Sequence, residues 1–242
     1  MTGDNGWLPD WAVPALISLL AFMLAILLHE IAHGLAALAL GDTTAKRLGR
    51  LSLNPVRHVD PFGTILVPAM LVVGQLAARG TVGFAFGWAK PVPVDVMALR
   101  NPRRGMMLVA AAGPAMNFLL AWLAGLLGHF AEAVGPMLSV EAREIVYQFI
   151  RVFIVANLVL GLFNLLPIPP LDGGRIVAGL LPRALALPYM RLERWGLLTV
   201  LFLLFGLPYL LDGFDPVRSV LDLAADSAFE LVLLLSGHRA TP

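Results

Sequence analysis

The chain of 242 residues is 59% hydrophobic and only 14% charged, and its mean hydropathy is +0.82. This composition is typical of a polytopic membrane protein and excludes a soluble globular domain. The net charge of +1, without any basic run, argues against a nucleic-acid partner, and the absence of cysteine excludes disulfides and thiolate metal sites.

The first predicted element is a long apolar helix from about residue 11 to 40, which ends at Gly41. It contains the pattern HExxH as His29, Glu30 and His33. Because residues four apart share one face of a helix, both imidazoles can bind one zinc ion, and Glu30 can accept a proton from a water on the metal. A polar contact between helices is the alternative, but ionisable groups inside a membrane helix are costly and indicate function.

An apolar stretch at residues 62–78 lies between two polar loops, at 42–61 and 79–104. Both loops are basic and hold four and five Lys or Arg residues. A full crossing would carry one of these loops to the outer side of the membrane. The sequence therefore predicts a re-entrant hairpin that enters from the cytoplasmic face and bends near Pro68 and Gly74.

Residues 84–94 are predicted to form a short β-like stretch, because Pro91 and Pro93 forbid a helix interior. Prolines cannot donate hydrogen bonds, so we expect the N–H groups of Val92 and Val94 to remain free at an edge. An extended substrate could pair with this edge as an added strand, which makes both valines candidate substrate-binding residues. The alternative is a stiff linker between membrane elements.

Three further apolar runs, at residues 105–127, 145–166 and 195–211, predict membrane-embedded helices. In total we expect an all-α polytopic membrane protein with about five to six such helices. A last amphipathic helix is predicted at 216–236, and an acidic stripe runs along it. We expect this helix to lie at the membrane surface with the stripe in water, rather than to form an ion pathway. The stripe consists of Asp222, Asp226 and Glu230.

Basic residues are concentrated in the loops at 42–61, 79–104 and 167–194, which hold four, five and four of them. The N-terminus and the loop at 128–144 hold none and one. Since Lys and Arg remain on the cytoplasmic side, we predict a multi-pass protein of the cytoplasmic membrane with its N-terminus outside. The HExxH pattern then lies near the cytoplasmic side.

A catalytic zinc needs a third protein ligand and keeps one position for water. Asp172 is the best candidate, because the predicted topology gives it the depth of the two histidines. Gly173 and Gly174 beside it allow other backbone to approach closely. Asp172 could instead, or in addition, cap a short helix at 173–181, and His58 is the rival third ligand.

Three motifs together resemble the site-2 proteases, which are intramembrane zinc metalloproteases of regulated intramembrane proteolysis. They are HEIAHG in the first helix, GPAMNF at 113–118 and NLLPIPPLDGGR at 164–175. The segments NPVRHVDPFG at 54–63 and GWAKPVPV at 87–94 resemble the short bacterial branch of that family. Many members carry a PDZ or CBS domain for regulation, and we find neither in this sequence.

The resemblance implies a role for each matching residue. Asn164 is implicated in holding the substrate, and Asn117 matches an asparagine that is typical of the family. Either amide could hydrogen-bond the unwound backbone of a substrate, with an ordinary contact between helices as the alternative. The general base is Glu30, and one zinc ion per chain is held by three ligands: His29, His33 and Asp172.

Residues 1–242 are then a single membrane-embedded metalloprotease domain, with a core at 11–211, that acts on transmembrane proteins in the lipid bilayer. Two other functions are compatible with the pattern. One is a membrane metal-ion transporter, in which ionisable residues would be spread through the membrane thickness. The other is a catalytically silent homologue that binds transmembrane helices. The pattern leaves the substrate and the oligomeric state open.

Overall fold

The computed structural model describes residue 9 and residues 11–80, 87–211 and 215–238. Within these residues the structure is helical and contains no β-strand, which confirms the all-α prediction. The α-helices are, in chain order, α1 (Ala12–Ala39), α2 (Thr44–Arg47), α3 (Val67–Arg79), α4 (Pro102–Val134), α5 (Val140–Asn164), α6 (Asp172–Leu180), α7 (Arg183–Met190), α8 (Gly196–Leu201), α9 (Leu207–Leu210) and α10 (Pro216–Leu235).

Three of these helices, α1, α4 and α5, are long and apolar enough to cross a membrane. They pack against one another through small residues, which let helix backbones approach closely in a membrane. Among the described residues, two shorter apolar helices, Pro61–Ala77 and Leu198–Leu210, accompany them. The buried small residues include Ala21, Ala25 and Ala37 of α1, Gly113 and Ala121 of α4, and Ala156 and Gly161 of α5.

The apolar stretch after the first polar loop is helical throughout. It begins as a π-helix at Pro61–Leu66 and continues as α3. The bend expected at Pro68 and Gly74 is therefore wrong. Pro68 lies where the π-helix passes into α3, and the helix continues through it although proline provides no N–H.

The chain returns beside the start of this helical stretch. The N–H of Trp88 donates to the carbonyl of Gly63 at 3.1 Å, and the N–H of Lys90 donates to the carbonyl of His58 at 2.9 Å. A Cβ on Gly63 would lie 2.3 Å from the ring of Trp88, so this approach requires glycine. Both ends of the segment between Gly63 and Trp88 therefore lie side by side.

The segment at 87–95 is irregular rather than a strand, and residues 84–86 of the predicted β-like stretch lie outside the described residues. The buried side chain of Arg50 donates to the carbonyl of Lys90 at 2.7 Å. At the other end, the N–H of Asp95 donates to Oδ2 of the buried Asp42 at 2.8 Å. Burial raises the pKa of Asp42, but hydrogen bonds from Thr44 and Asp95 outweigh it and hold the pKa below its usual value. Both ends of the segment are thus fixed to the loop after α1.

The last helix, α10, packs against α4 and α5. Near its start, Val217 lines a small apolar crevice with Phe163, at the end of α5. Near its end, Val232 is buried in one hydrophobic cluster with Ala124 of α4 and Ile154 of α5. The helix therefore runs along α5 in the opposite direction. Its acidic stripe is exposed, and it consists of Asp222, Asp226 and Glu230.

Candidate metal centre

Helices α1 and α6 bring His29, His33 and Asp172 together. The two histidines lie one turn apart on α1, and their Nε2 atoms are 3.0 Å apart. Oδ2 of Asp172 lies 3.2 Å from each of these nitrogens. His29 and Asp172 are only 4% and 7% exposed. The three side chains predicted as ligands therefore converge on one buried point.

A tight turn before α6 directs Asp172 toward the histidines. A Cβ on Gly173 would lie 2.2 Å from the carbonyl oxygen of Leu165, and a Cβ on Gly174 would lie 2.6 Å from the nitrogen of Pro169. Both positions therefore require glycine. Leu171, not Asp172, occupies the N-cap position of α6, and no side chain caps it, so the capping alternative for Asp172 is wrong.

The hydrogen bond made by Nδ1 of each histidine shows which ring nitrogen carries the proton. Nδ1 of His33 lies 2.7 Å from the carbonyl oxygen of Val109, which can only accept, so Nδ1 is the donor. Nδ1 of His29 lies 2.6 Å from Oδ1 of Asn117 and donates to it in the same way. The Nε2 lone pairs of both histidines are therefore free and face Asp172.

A chain of amides holds Asn117 in the orientation that serves His29. Nδ2 of Asn117 donates to Oδ1 of Asn157 at 2.8 Å, and Nδ2 of Asn157 donates to the carbonyl of Phe153 at 2.8 Å. Both asparagines are fully buried. The amide of Asn117 is thus used within the protein and has no group left for a substrate. Asn157 was assigned no role from the sequence, because an asparagine in an apolar run gives no sign of its partner.

The three atoms that face one another in this site are all hydrogen-bond acceptors. When both imidazoles are neutral, as metal ligands are, neither Nε2 carries a hydrogen, and Oδ2 of Asp172 is buried without a hydrogen-bond partner among the described residues. Such a group is unfavourable unless a cation lies between its members. Two imidazoles and a carboxylate are ligands typical of a catalytic zinc and leave one position for water. The residues present therefore fit a zinc ion.

Gly113 of α4 provides the space in which the two imidazoles lie. A Cβ at this position would lie 2.5 Å from Nε2 of His33 and 2.6 Å from Cε1 of His29. Any other residue would therefore displace the ring atoms that face Asp172. The sequence motif includes this glycine, but its role depends on a contact between α1 and α4 that the sequence does not reveal.

Glu30 lies beside His29 and is held by the segment at 87–95. Its Oε2 accepts a hydrogen bond from the backbone N–H of Val92 at 2.8 Å. The expectation of a free N–H at Val92 is therefore wrong, because proline neighbours leave this donor facing α1 rather than an open edge. The N–H of Val94 has no partner among the described residues.

Two other predicted residues lie apart from the three ligands. Nε2 of His58 is hydrogen-bonded to the carbonyl of Ser52 at 3.0 Å, and His58 does not belong to the group of converging ligand atoms in the described chain. The rival assignment of His58 as third ligand is therefore wrong. Asn164 donates from Nδ2 to the carbonyl of Leu160, one turn earlier in its own helix, at 3.0 Å.

Comparisons with known proteins give the chain its family. Residues 131–207 match the model of peptidase family M50. YwhC of Bacillus subtilis (strain 168), provisionally named as a zinc metalloprotease, is 40% identical over 184 residues, which cover 76% of this chain and 78% of that protein. Rip2 of Mycolicibacterium smegmatis, with the same provisional name, is 33% identical over 213 residues, 83% of this chain and 74% of that protein.

A more distant relative is zinc metalloprotease MJ0392 of Methanocaldococcus jannaschii. It is 26% identical over 123 residues, which cover 48% of this chain and 33% of that protein. No solved structure matches the chain significantly. The converging ligands and the extent of the match to YwhC lead to one conclusion: the chain belongs to the site-2 protease family, peptidase family M50.

Proposed function

We propose that this chain is an intramembrane zinc metalloprotease that hydrolyses peptide bonds in or near the transmembrane segments of membrane proteins. One observation carries the proposal: His29, His33 and Asp172 converge inside a bundle of apolar helices, with Glu30 beside them. Membership of the site-2 protease family supports the same activity.

In this proposal the zinc ligands are Nε2 of His29, Nε2 of His33 and Oδ2 of Asp172. When bound, the metal lowers the pKa of a water molecule and polarises the carbonyl to be attacked. Glu30 takes a proton from that water and later delivers it to the leaving amine. Its Oε1 has no hydrogen-bond partner among the described residues, so one carboxylate oxygen is available for the transfer.

Asn117 and Asn157 act as positioning residues rather than as substrate ligands. Their amide chain and the carbonyl of Val109 keep the protons of both imidazoles on Nδ1. Partners of this kind orient metal ligands and raise their basicity. The asparagines therefore support zinc binding from inside the bundle.

The substrate must unwind before it is cut, because the carbonyls of a transmembrane helix are engaged in its own hydrogen bonds. We propose that the segment at 87–95 receives the unwound chain. The N–H groups of Trp88, Lys90 and Val92 are engaged, whereas those of Gly87, Ala89 and Val94 have no partner among the described residues. Of these we take Val94, which follows Val92 in the chain, as the candidate donor. Asn164 has a free Oδ1 among the described residues and is the second candidate contact.

The basic loops support a topology with the N-terminus outside and the metal centre near the cytoplasmic side. His33 contacts Val109, near the start of α4, and the basic loop at 79–104 precedes that start. The hydrogen bond between Trp88 and Gly63 supports re-entry of the intervening segment, because its two ends lie together. In this re-entrant segment, the part that leads into the membrane is the helix at 61–79 rather than a bent hairpin.

The two other functions are less well supported. A metal-ion transporter would carry ligands along a path through the membrane, whereas the buried ligand atoms in the described residues lie within 4.8 Å of one another. A silent homologue would tolerate loss of the base or of a ligand. Here Glu30 and all three ligands are present.

Cleavage of single-span membrane proteins by the purified chain tests the proposal. We expect the wild type to cut a substrate that the Glu30→Gln variant leaves intact, while both retain zinc. Equal cleavage by both proteins would contradict the role of Glu30, and equal inactivity with a broad set of substrates would favour the silent homologue.

A further inference from the structure

A second group of metal-binding side chains lies far from the candidate metal centre. His129 and Glu132 lie one turn apart near the end of α4, and His238 follows α10. His129 lies 20 residues after Val109, which contacts His33, so the two groups are separated by about 30 Å along α4 at about 1.5 Å per residue. The two groups are therefore distinct.

The two histidines face the two oxygens of one carboxylate. Nδ1 of His129 lies 3.7 Å from Oε2 of Glu132. Nε2 of His238 lies 3.8 Å from Oε1 of Glu132. The imidazole rings are stacked, with centroids 4.0 Å apart and an interplanar angle of 6°.

Ser236 determines which nitrogen of each imidazole carries the proton. Its carbonyl can only accept and lies 2.6 Å from Nε2 of His129, so this nitrogen donates. Its hydroxyl lies 2.7 Å from the carbonyl of Val232 and 3.1 Å from that of Leu233, and these two acceptors share its single proton. The hydroxyl therefore accepts from Nδ1 of His238, which is 3.0 Å away. The free lone pairs are on Nδ1 of His129 and Nε2 of His238.

We propose that His129, Glu132 and His238 bind a divalent transition-metal ion of the zinc type. When both imidazoles are neutral, the facing atoms are acceptors with no proton between them, and a cation can join them. Zinc bonds of about 2.0–2.1 Å in a tetrahedron place ligand atoms roughly 3.4 Å apart. The observed 3.7 and 3.8 Å are close to this separation, and the exposed side chains must also turn out of the stacked arrangement so that both ring planes meet at one ion.

Two glycines of α4 provide the close approach that this site needs. A Cβ on Gly128 would lie 3.0 Å from Nε2 of His238, and a Cβ on Gly125 would lie 2.7 Å from Oγ of Ser236. Larger residues would push the end of α10 away from α4. The site therefore joins the end of α10 to the end of α4, and the bound ion stabilises that contact.

The two imidazoles and the carboxylate determine which metal ion binds, and their exposure determines what the bound ion does. Imidazole favours zinc, copper and nickel, whereas magnesium and calcium favour oxygen ligands. The side chains of His129 and Glu132 are 46% and 58% exposed, so the ion keeps water and exchanges with the solution. The site thus fastens two helices, and its occupancy depends on the free metal concentration. The competing arrangement is a plain ion pair between a protonated His129 and Glu132, which binds no metal.

Zinc titration of the Asp172→Ala variant tests this proposal, because that change removes a ligand of the central site. The metal-free full chain in detergent is titrated with Zn²⁺, and both bound zinc and the thermal unfolding temperature are measured. We expect one zinc per chain and a rise in the unfolding temperature. Adding Glu132→Gln should weaken binding by more than the about 10- to 100-fold that loss of a supporting partner causes.

Glu144→Gln in the same background is the matched control, since Glu144 is an exposed carboxylate outside the group. It should bind zinc as the Asp172→Ala variant does. Unchanged binding after Glu132→Gln, or no rise in unfolding temperature with zinc, would overturn the proposal and leave the plain ion pair. If Asp172→Ala fails to fold, wild type and His238→Ala are compared, and the proposal requires two zinc ions per chain against one.

Discussion

The backbone N–H of Val92 donates a 2.8 Å hydrogen bond to Oε2 of Glu30, which joins the segment at 87–95 to the proposed catalytic base. Val92 is only 7% exposed, and Arg50 and Asp42 hold the flanking backbone. The carboxylate is therefore oriented by a part of the chain that lies outside the three long helices. Any movement of this segment upon substrate binding would change the position of the base.

Replacing Val92 by proline removes this donor while keeping an extended backbone between two prolines. A hydrogen bond to a charged group contributes about 1.5–3 kcal/mol, so we expect kcat/KM to fall roughly 10- to 100-fold. Zinc content should not change. Val92→Ala keeps the N–H and should be much milder. Equal activities of the two variants, measured on one substrate, would show that the hydrogen bond does not orient the base.

Gly113→Ala tests the space reserved for the imidazoles. The added methyl group would lie 2.5 Å from Nε2 of His33, so the ring must move and zinc affinity should fall by at least about tenfold. Gly74→Ala is the matched control, because a Cβ there meets nothing within 4 Å and the change favours a helix. Zinc content of both purified variants is compared by elemental analysis. Normal zinc in Gly113→Ala would mean that the imidazoles are not confined by α4.

Asn157→Leu tests the amide chain behind His29. The change leaves Nδ2 of Asn117 with only the longer contact to the carbonyl of Ala25 at 3.4 Å, so the amide can turn and release Nδ1 of His29. We expect zinc affinity to fall by about 10- to 100-fold, the usual effect of losing such a supporting partner. Asn164→Leu, in the same helix, should retain zinc and raise KM if Asn164 contacts the substrate. A competition assay with a chelator measures the first effect, and unchanged affinity would remove Asn157 from the site.

Single cysteines test the topology, since the chain has none of its own. Positions 46, 90 and 183 are exposed in the structure and basic in sequence, so cysteines there should be shielded from an impermeant thiol reagent in intact cells. Position 137 is 86% exposed and should react. All four should react after permeabilisation. Reaction at 90 in intact cells would mean that the segment at 61–79 crosses the membrane instead of re-entering.

Much of this architecture could be predicted from the sequence. The apolar runs predicted the three long helices, and the spacing of His29 and His33 on one of them predicted two of the three ligands. The convergence of Asp172 on them was expected from topology and from family resemblance, because nothing local in the sequence links residues so far apart.

Contacts between distant segments could not be predicted in this way. The partner of the Val92 N–H depends on how the segment at 87–95 folds back on α1. The prolines in the sequence show only which backbone N–H groups are absent. The path of α10 depends on Val232 packing between α4 and α5, a contact that its charged stripe does not reveal. Asn157 could be identified only from its contact with Asn117.

Zinc content and cleavage measured together on one set of variants test the central claim most directly. Each variant carries His238→Ala, so that only the centre at His29, His33 and Asp172 is counted. We predict one zinc and cleavage in the parent, one zinc without cleavage in Glu30→Gln, and neither in Asp172→Ala. Full zinc and cleavage in Asp172→Ala, or cleavage by Glu30→Gln at the parent's rate, would contradict the account.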